Sequence, residues 1–325
     1  MRLGILGTGK IVQDFLPIVK SIPAIELVGL LSTPRSVARA RELQATYRIG
    51  TVYTDYAALL ADTTIDTVYV ALPNSLHYDY AKRALQAGKN VICEKPFTLV
   101  ASQLTELIEL AGRQDLVLIE AITNQYLENY QAIKRDLTKL GDLKIIECNY
   151  SQYSSRYDQF KAGTILPAFN PKLGGGALMD LNIYNIHFVV GLLGAPTHVQ
   201  YLANVERNID TSGILVLTYP NVKVVCIGAK DSTSPVRSTI QGTTGSIIVN
   251  GPTNTVESIT EIAHDVTTTD LALNQAEHRM YAEFVAFERL IANHDMVTVK
   301  RQLDHSQAVM EVGDQALASA GLQLG

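Results

Sequence analysis

The chain has 325 residues, of which 47% are hydrophobic and 18% charged, and its formal net charge is -5. That composition excludes a disordered chain, and the length suits two domains better than one core. A mildly acidic protein with no long Lys/Arg cluster has no electrostatic reason to seek nucleic acid or anionic lipid, so neither is expected as a partner.

The first third alternates short apolar runs with helical patterns. Residues 3–6 read as a strand, followed by a helix from Lys10 that Pro17 is expected to bend or shorten. A strand over 25–31 and a helix over 36–47 come next. Residues 66–71 form a strand ending at Pro73-Asn74, and 75–87 a helix stopped by Gly88. Strand 90–93, helix 102–113 and strand 116–120 complete the run. Alternation of this kind, with nearly continuous apolar strands, predicts a doubly wound parallel sheet covered on both faces. The pattern changes after about residue 122. A helix near 129–140 is followed by alternating segments at 144–153, 198–206, 213–219, 222–229, 238–241, 246–249 and 255–262. Tight-turn signals separate several of them, which predicts a largely antiparallel sheet. Helices near 272–292 and 304–320 close the chain. The expected division is residues 1–122 and 123–325.

Cys93, Cys148 and Cys226 are widely spaced within apolar runs and lack metal-ligand spacing. Buried free thiols of a reducing cytoplasm are the simplest reading, and no metal site is expected. Met1-Arg2 runs directly into an apolar strand without a leader pattern, so secretion is not expected. The most apolar helical stretch, 186–193, is shorter than the ~20 residues of a membrane span.

The turn Gly7-Thr8-Gly9-Lys10-Ile11 follows the first strand and opens the first helix. Glycine at its first and third positions permits a tight turn and close backbone approach to a pyrophosphate, whose charge then meets the helix N-terminal amides. Val12 stands where a third small residue is usual. At the end of the second strand, Ser32, Thr33 and Arg35 replace the acid that would hold a ribose 2′-hydroxyl. Hydroxyls and a guanidinium suit a 2′-phosphate, which favours NADP over NAD without excluding the latter.

Three further segments carry a family resemblance. They are Ala71-Leu72-Pro73-Asn74-Ser75-Leu76-His77, Gly88-Lys89-Asn90-Val91-Ile92-Cys93-Glu94-Lys95-Pro96, and Gly174-Gly175-Gly176-Ala177-Leu178-Met179-Asp180-Leu181-Asn182-Ile183-Tyr184. Together they resemble the Gfo/Idh/MocA oxidoreductases, and within them the branch of dimeric dihydrodiol dehydrogenases and xylose dehydrogenases. The resemblance implies an N-terminal Rossmann domain and a C-terminal α/β domain with an open, mostly antiparallel sheet that serves substrate binding and oligomerisation as a homodimer or homotetramer. It implies NAD(P)-dependent hydride transfer to or from a sugar, polyol, diol or related carbonyl compound. Ala71, Leu72, Pro73, Asn74, His77, Glu94 and Lys95 would then join the glycine turn on the cofactor side. Tyr184, Lys95 and Asp180 would be the catalytic group. Tyrosine at 184 stands where inositol dehydrogenases have histidine. Asn182 and Gln125 depart from the branch, which commonly has glycine and arginine there.

Oxidation of an alcohol sends a hydride to the nicotinamide and a proton to a base. A free tyrosine titrates near ~10, and an adjacent ammonium would favour its phenolate. Either Tyr184 or Lys95 can move the proton on this reading, with Asp180 orienting substrate or Lys95. Residues 154–173 form a long segment whose Arg156, Tyr157, Phe160, Phe169 and Asn170 suit a sugar-binding wall or an oligomer contact. His187 reads as structural, with a substrate contact as the alternative. Two other functions fit the same motifs: a sensor of dinucleotide or sugar that does not catalyse, and an NAD-dependent glycoside hydrolase.

Overall fold

The computed structural model describes Met1–Gly325 and divides into two compact units. The first contains β1 (Arg2–Leu6), α1 (Lys10–Val19), β2 (Glu26–Leu31), α2 (Val37–Tyr47), β3 (Thr51–Tyr53), α3 (Tyr56–Ala61), β4 (Thr67–Val70), α4 (His77–Gln86), β5 (Asn90–Glu94), α5 (Ala101–Arg113) and β6 (Leu118–Ala121). Its six parallel strands stand in the order β3-β2-β1-β4-β5-β6. That is the dinucleotide-binding order, with a switch point between β1 and β4 where ligands bind beyond the strand ends. Leu3, Ile5, Leu6, Val68, Tyr69, Val70, Val91 and Ile92 are inaccessible to solvent, as strands covered on both faces require.

Two expectations change here. α1 continues through Pro17 to Val19, so the proline ends the helix no earlier than its last turn. β3 and α3 escaped the sequence reading because segments of three and six residues are too short to show a period.

The second unit begins at Ile122 and contains α6 (Glu128–Asp136), β7 (Leu143–Ser151), α7 (Tyr157–Lys161), α8 (Ile183–Leu193) and seven further strands. These are β8 (His198–Glu206), β9 (Ile209–Thr218), β10 (Lys223–Ala229), β11 (Arg237–Gly242), β12 (Gly245–Asn250), β13 (Ser258–Ala263) and β14 (Thr268–Leu271). The eight strands form one open sheet, β14-β13-β12-β11-β7-β10-β9-β8. Every neighbouring pair is antiparallel except β7 with β10. In that pair Cys148 and Cys226 lie in register, both buried as free thiols. β9 starts four residues before its expected first residue because Asp210, Thr211 and Ser212 disguise a buried strand as polar chain.

The last two helices correct the expected division. α9 (Met280–Asn293) and α10 (Met296–Ser319) follow the second sheet in the chain, yet Met280–Gln307 belongs to the first unit and only Ala308–Gly325 to the second. Phe284 explains the return. Its ring lies 4.1 Å from that of Phe15 and 5.2 Å from that of Tyr69, a packed aromatic cluster inside the first unit. α9 starts eight residues later than expected because side-chain amides take over the backbone groups before it. Leu273 N–H donates to Asn129 Oδ1, and Asn274 Nδ2 donates to the carbonyls of Thr255 and Val256. α10 starts earlier than expected because Asp295 Oδ1 accepts the Thr298 amide, a capping bond. The stretch Pro171–Leu193 is long and apolar enough to cross a membrane by composition, longer than the sequence reading allowed, but 72% of its most apolar window is buried within the fold, as in a core helix.

Candidate functional site

The first unit carries a cradle for a dinucleotide. Gly7 leaves β1 with φ +104°, and a Cβ there would stand 2.7 Å from the Ala71 carbonyl, so only glycine lets β1 and β4 approach at the switch point. Its amide donates to the Leu31 carbonyl, which fixes the turn to β2. Gly9 caps α1 with no side-chain acceptor, no acid stands in the first helical turn, and the space around its missing Cβ is open. Orphan amides with positive dipole charge and room beside them fit a pyrophosphate. Val12 is fully buried, so it serves helix–sheet packing where a third glycine is usual. Thr8 accepts from Gln13 Nε2 through its carbonyl, and Gln13 Oε1 in turn accepts from Arg39, a connection to the turn that the sequence reading missed. Lys10 is solvated and paired with Asp14, while Ile11 continues the first turn of α1.

At the end of β2, Ser32 is buried and shares a hydroxyl hydrogen bond with Ser36, which also meets the Thr33 hydroxyl. Arg35 is exposed and makes no hydrogen bond or ion pair. Two or three hydroxyls and an uncommitted guanidinium suit a 2′-phosphate.

The segments after β4 and β5 are held together by His77. Its Nδ1 lies 2.8 Å from the Pro96 carbonyl and its Nε2 2.9 Å from the Leu72 carbonyl. Burial holds its pKa below the ordinary value. A neutral ring donates to one carbonyl at a time, so His77 is a clasp between backbones, in place of the cofactor contact expected of it. Ala71 is buried, Leu72 and Asn74 half-buried and Pro73 exposed, and Pro73 precedes a short turn over Asn74–Leu76. The Glu94 carboxylate is buried and accepts from Tyr69 at 2.5 Å, and Lys95 follows it, half-buried, before a cis bond to Pro96. The neighbouring Glu120 is also buried, accepting from Ser306 at 2.5 Å.

The second unit holds a polar cavity of about 310 Å³, lined by Gln152, Tyr153, Ser154, Ser155, Arg156, Asp180, Leu181 and Lys230. It exists because β7 and β10 are parallel. Their carboxyl ends leave the sheet side by side, with Gln152 N–H donating to Ala229 and Ser154 N–H to the Lys230 carbonyl. Asp180 comes from a π-helical turn, Leu178–Asn182, that leads into α8, and Tyr184 stands in the first turn of α8. Local π turns of this kind recur at functional sites. Tyr184 is buried, with its ring 6.2 Å from that of Tyr150. Gly176 precedes this turn at φ +108°, where a Cβ would fall 2.0 Å from Asp210 Oδ1. Asp210 is buried beneath the turn and accepts from the Leu178 amide and the Tyr201 hydroxyl, and burial raises its pKa to about 6. Asn182, the departure from glycine, fits because Gly228 lies opposite, with Asn182 Cβ 2.8 Å from where a Gly228 Cβ would be. The other departure, Gln125, donates to the His187 carbonyl and to Asn124.

Lys230 was missed in the sequence. Its side chain is 3% exposed, and its ammonium donates 2.6 Å to Asp180 Oδ2 and 2.6 Å to the Ala168 carbonyl and lies 4.6 Å from the centre of the Phe169 ring. The available signal was a lysine directly after a buried apolar strand.

Of the five residues expected in a sugar-binding wall or an oligomer contact, most take another place. Tyr157, Phe160 and Phe169 pack with Ile209 into a small core of their own, the Phe160 and Phe169 rings stacked at 4.9 Å. The Tyr157 hydroxyl donates to Glu206, which pushes its pKa up to about 12. Asn170 accepts from the Lys172 amide as a turn cap. Arg156 alone of the five lines the cavity. His187 is fully buried. Composition does not distinguish an aromatic wall from an aromatic core. No group of three or more His, Cys, Asp or Glu could hold a metal ion.

The parallel sheet, glycine cradle and second open sheet define a nicotinamide-dinucleotide oxidoreductase. A family model described as an oxidoreductase family with an NAD-binding Rossmann fold matches residues 1–122, and the GFO/IDH/MocA C-terminal domain matches residues 131–248. The chain is 32% identical to scyllo-inositol 2-dehydrogenase (NADP(+)) IolU of Bacillus subtilis (strain 168), over 99% of this chain and 98% of that protein. It is 29% identical to trans-1,2-dihydrobenzene-1,2-diol dehydrogenase of Xenopus tropicalis, over 77% of this chain and 79% of that one. A crystal structure of KijD10, a 3-ketoreductase from Actinomadura kijaniata, shares the fold with a TM-score of 0.81, 21% identity and coverage of 98% and 97%. The chain belongs to the Gfo/Idh/MocA oxidoreductase family and is an NAD(P)-dependent enzyme of that class.

Proposed function

We propose that this enzyme is an NADP-preferring dehydrogenase or reductase of a monosaccharide-sized polyol, sugar or diol. The observation that carries this reading is the small polar cavity containing Asp180. Its volume of about 310 Å³ lies at the lower end of small-molecule sites, roughly 300–1,000 Å³. Carboxylate, guanidinium, amide and hydroxyl groups around it match a ligand rich in hydroxyls. The related inositol and dihydrodiol dehydrogenases act on compounds of that kind by their names. Ser32, Thr33 and Arg35 support NADP, as does the cofactor named for the inositol dehydrogenase.

The bound nicotinamide supplies the hydride acceptor or donor. Either Tyr184 or Lys95 moves the proton at the substrate oxygen. Asp180 accepts from substrate hydroxyls and so orients the reacting carbon. The enzyme works as a homo-oligomer through the open face of the second sheet, where Ile145, Leu202 and Ile214 are exposed. A hollow of about 680 Å³ on that face, lined by Asn149, Leu202, Ser212 and Ile214 among others, contains no acid, lysine, arginine or histidine and belongs to this contact rather than to chemistry. Three buried free thiols agree with a cytoplasmic enzyme.

The test is a panel of sugars, inositols and diols assayed with NADP and NAD separately by absorbance of the reduced cofactor. Turnover with at least one polyol is expected, and Lys95→Ala and Tyr184→Phe should each lower kcat about 10²–10⁴-fold, with cofactor affinity within threefold of wild type in Tyr184→Phe. Tight cofactor binding without turnover on the whole panel would identify a sensor. Release of aryl aglycones with no net reduced cofactor would identify a glycoside hydrolase.

A further inference from the structure

The geometry points to Lys230 as a positioning residue that holds the Asp180 carboxylate at the cavity wall for a hydroxyl-bearing ligand. This deepens the proposed function and rests on Asp180 meeting substrate. A lysine is rarely buried, because removing an ammonium from water costs several kcal/mol unless its partners are well placed. Here the burial is one-sided. Lys230 is 3% exposed while its partner Asp180 keeps 38% of its side-chain surface, and both line the same cavity. A pair that served only to fill the core would bury both ends. The arrangement instead spends a solvent-free cation on fixing a carboxylate that remains open to solutes.

The anchoring of Lys230 is specific on every side. Its amide donates to Thr211, its carbonyl accepts from Ser154, and its ammonium bonds Ala168 and Asp180 above the Phe169 ring. Three chain segments that bound the cavity or its support therefore meet on one residue: the exit of β7, the turn before Phe169, and the π turn. Loss of the ammonium would remove a contact that orients the carboxylate. Lys230 does not touch the reacting atoms on this view. Its effect falls on ligand affinity and orientation.

The test compares wild type with Lys230→Met, Lys230→Arg, Asp180→Asn and the Met/Asn double variant. scyllo-Inositol and D-xylose are titrated calorimetrically into each protein saturated with NADP, NADP affinity is measured by protein fluorescence, and KM and kcat are measured wherever turnover exists. Lys230→Met is expected to weaken polyol binding at least tenfold and to raise KM more than it lowers kcat, with NADP affinity within threefold of wild type. Lys230→Arg, which keeps the charge and donors, should recover most of the loss. The double variant should bind little worse than Asp180→Asn alone, because the two residues act as one unit. If Lys230→Met does not fold, Lys230→Gln makes the same comparison without the charge. Unchanged polyol affinity in the uncharged variant overturns the inference and leaves the dehydrogenase reading to stand on wild-type turnover. Additive losses in the double variant overturn it too. A wild type that binds polyol but never turns it over ends the dehydrogenase reading, and the affinity comparison still decides the role of Lys230. A wild type that binds neither polyol overturns both.

Discussion

Arg35 and Lys230 are cations in opposite situations, and each situation assigns a task. Arg35 is exposed, uncommitted and next to two hydroxyl residues, so its guanidinium can take a bidentate hold on a phosphate at little desolvation cost. Arg35→Ala should weaken NADP binding about tenfold and leave NAD binding nearly unchanged, checked by fluorescence titration of each nucleotide; equal weakening of both would remove the 2′-phosphate assignment. Lys230 is buried and fully engaged, so its task is internal. His77 belongs with Lys230. With both ring nitrogens against carbonyls it cannot offer one to a ligand, although its place beside Asn74 in the motif suggested otherwise.

At the scale of elements, the decisive piece is the turn that carries Asp180 into α8. Its start is tied down by a buried carboxylate, Asp210, whose pKa of about 6 stands above the 3.8 of an ordinary aspartate because burial disfavours its charge. Between those values the native state binds the extra proton, so Asp210 lowers stability as pH rises from about 4 to about 6, by about 3 kcal/mol in all. Asp210→Asn keeps an oxygen for Leu178 and Tyr201 and removes the titration. Its urea midpoint relative to wild type should therefore improve as pH rises through that window and stay level above it. A difference between the two proteins that is flat from pH 4 to 7 would show that Asp210 does not carry the shift.

The whole molecule is less collinear with its chain than two successive domains would be. α9 returns to the first unit, and Phe284 joins the cluster of Phe15, Tyr69 and Phe287 there. Phe284→Ala should destabilise the protein by about 3–5 kcal/mol in urea unfolding, the cost of a large buried aromatic. A loss under 1 kcal/mol would mean that the first unit does not depend on α9. The proposed assembly uses the open face of the second sheet. Leu202→Asp with Ile214→Asp, both exposed in the single chain, should shift sedimentation from oligomer to monomer, and an unchanged profile would place the contact elsewhere.

Features written locally were readable from the chain alone. Alternating apolar runs made the parallel strands legible, and a glycine turn after the first of them marked the cradle, since a phosphate site of this type needs only consecutive residues. The candidates Lys95, Asp180 and Tyr184 come from contiguous motifs, which a sequence displays in one window. What depends on distant segments meeting was not written anywhere in one window. The parallel pairing of β7 with β10 is set by sheet order, and it alone brings Gln152–Arg156 beside Lys230. The aromatic residues at 157, 160 and 169 have the composition of a binding wall, and only packing shows them turned into a core. The return of α9 is the same lesson at larger scale: an amphipathic helix states which face it must bury, and the tertiary fold chooses the surface that buries it.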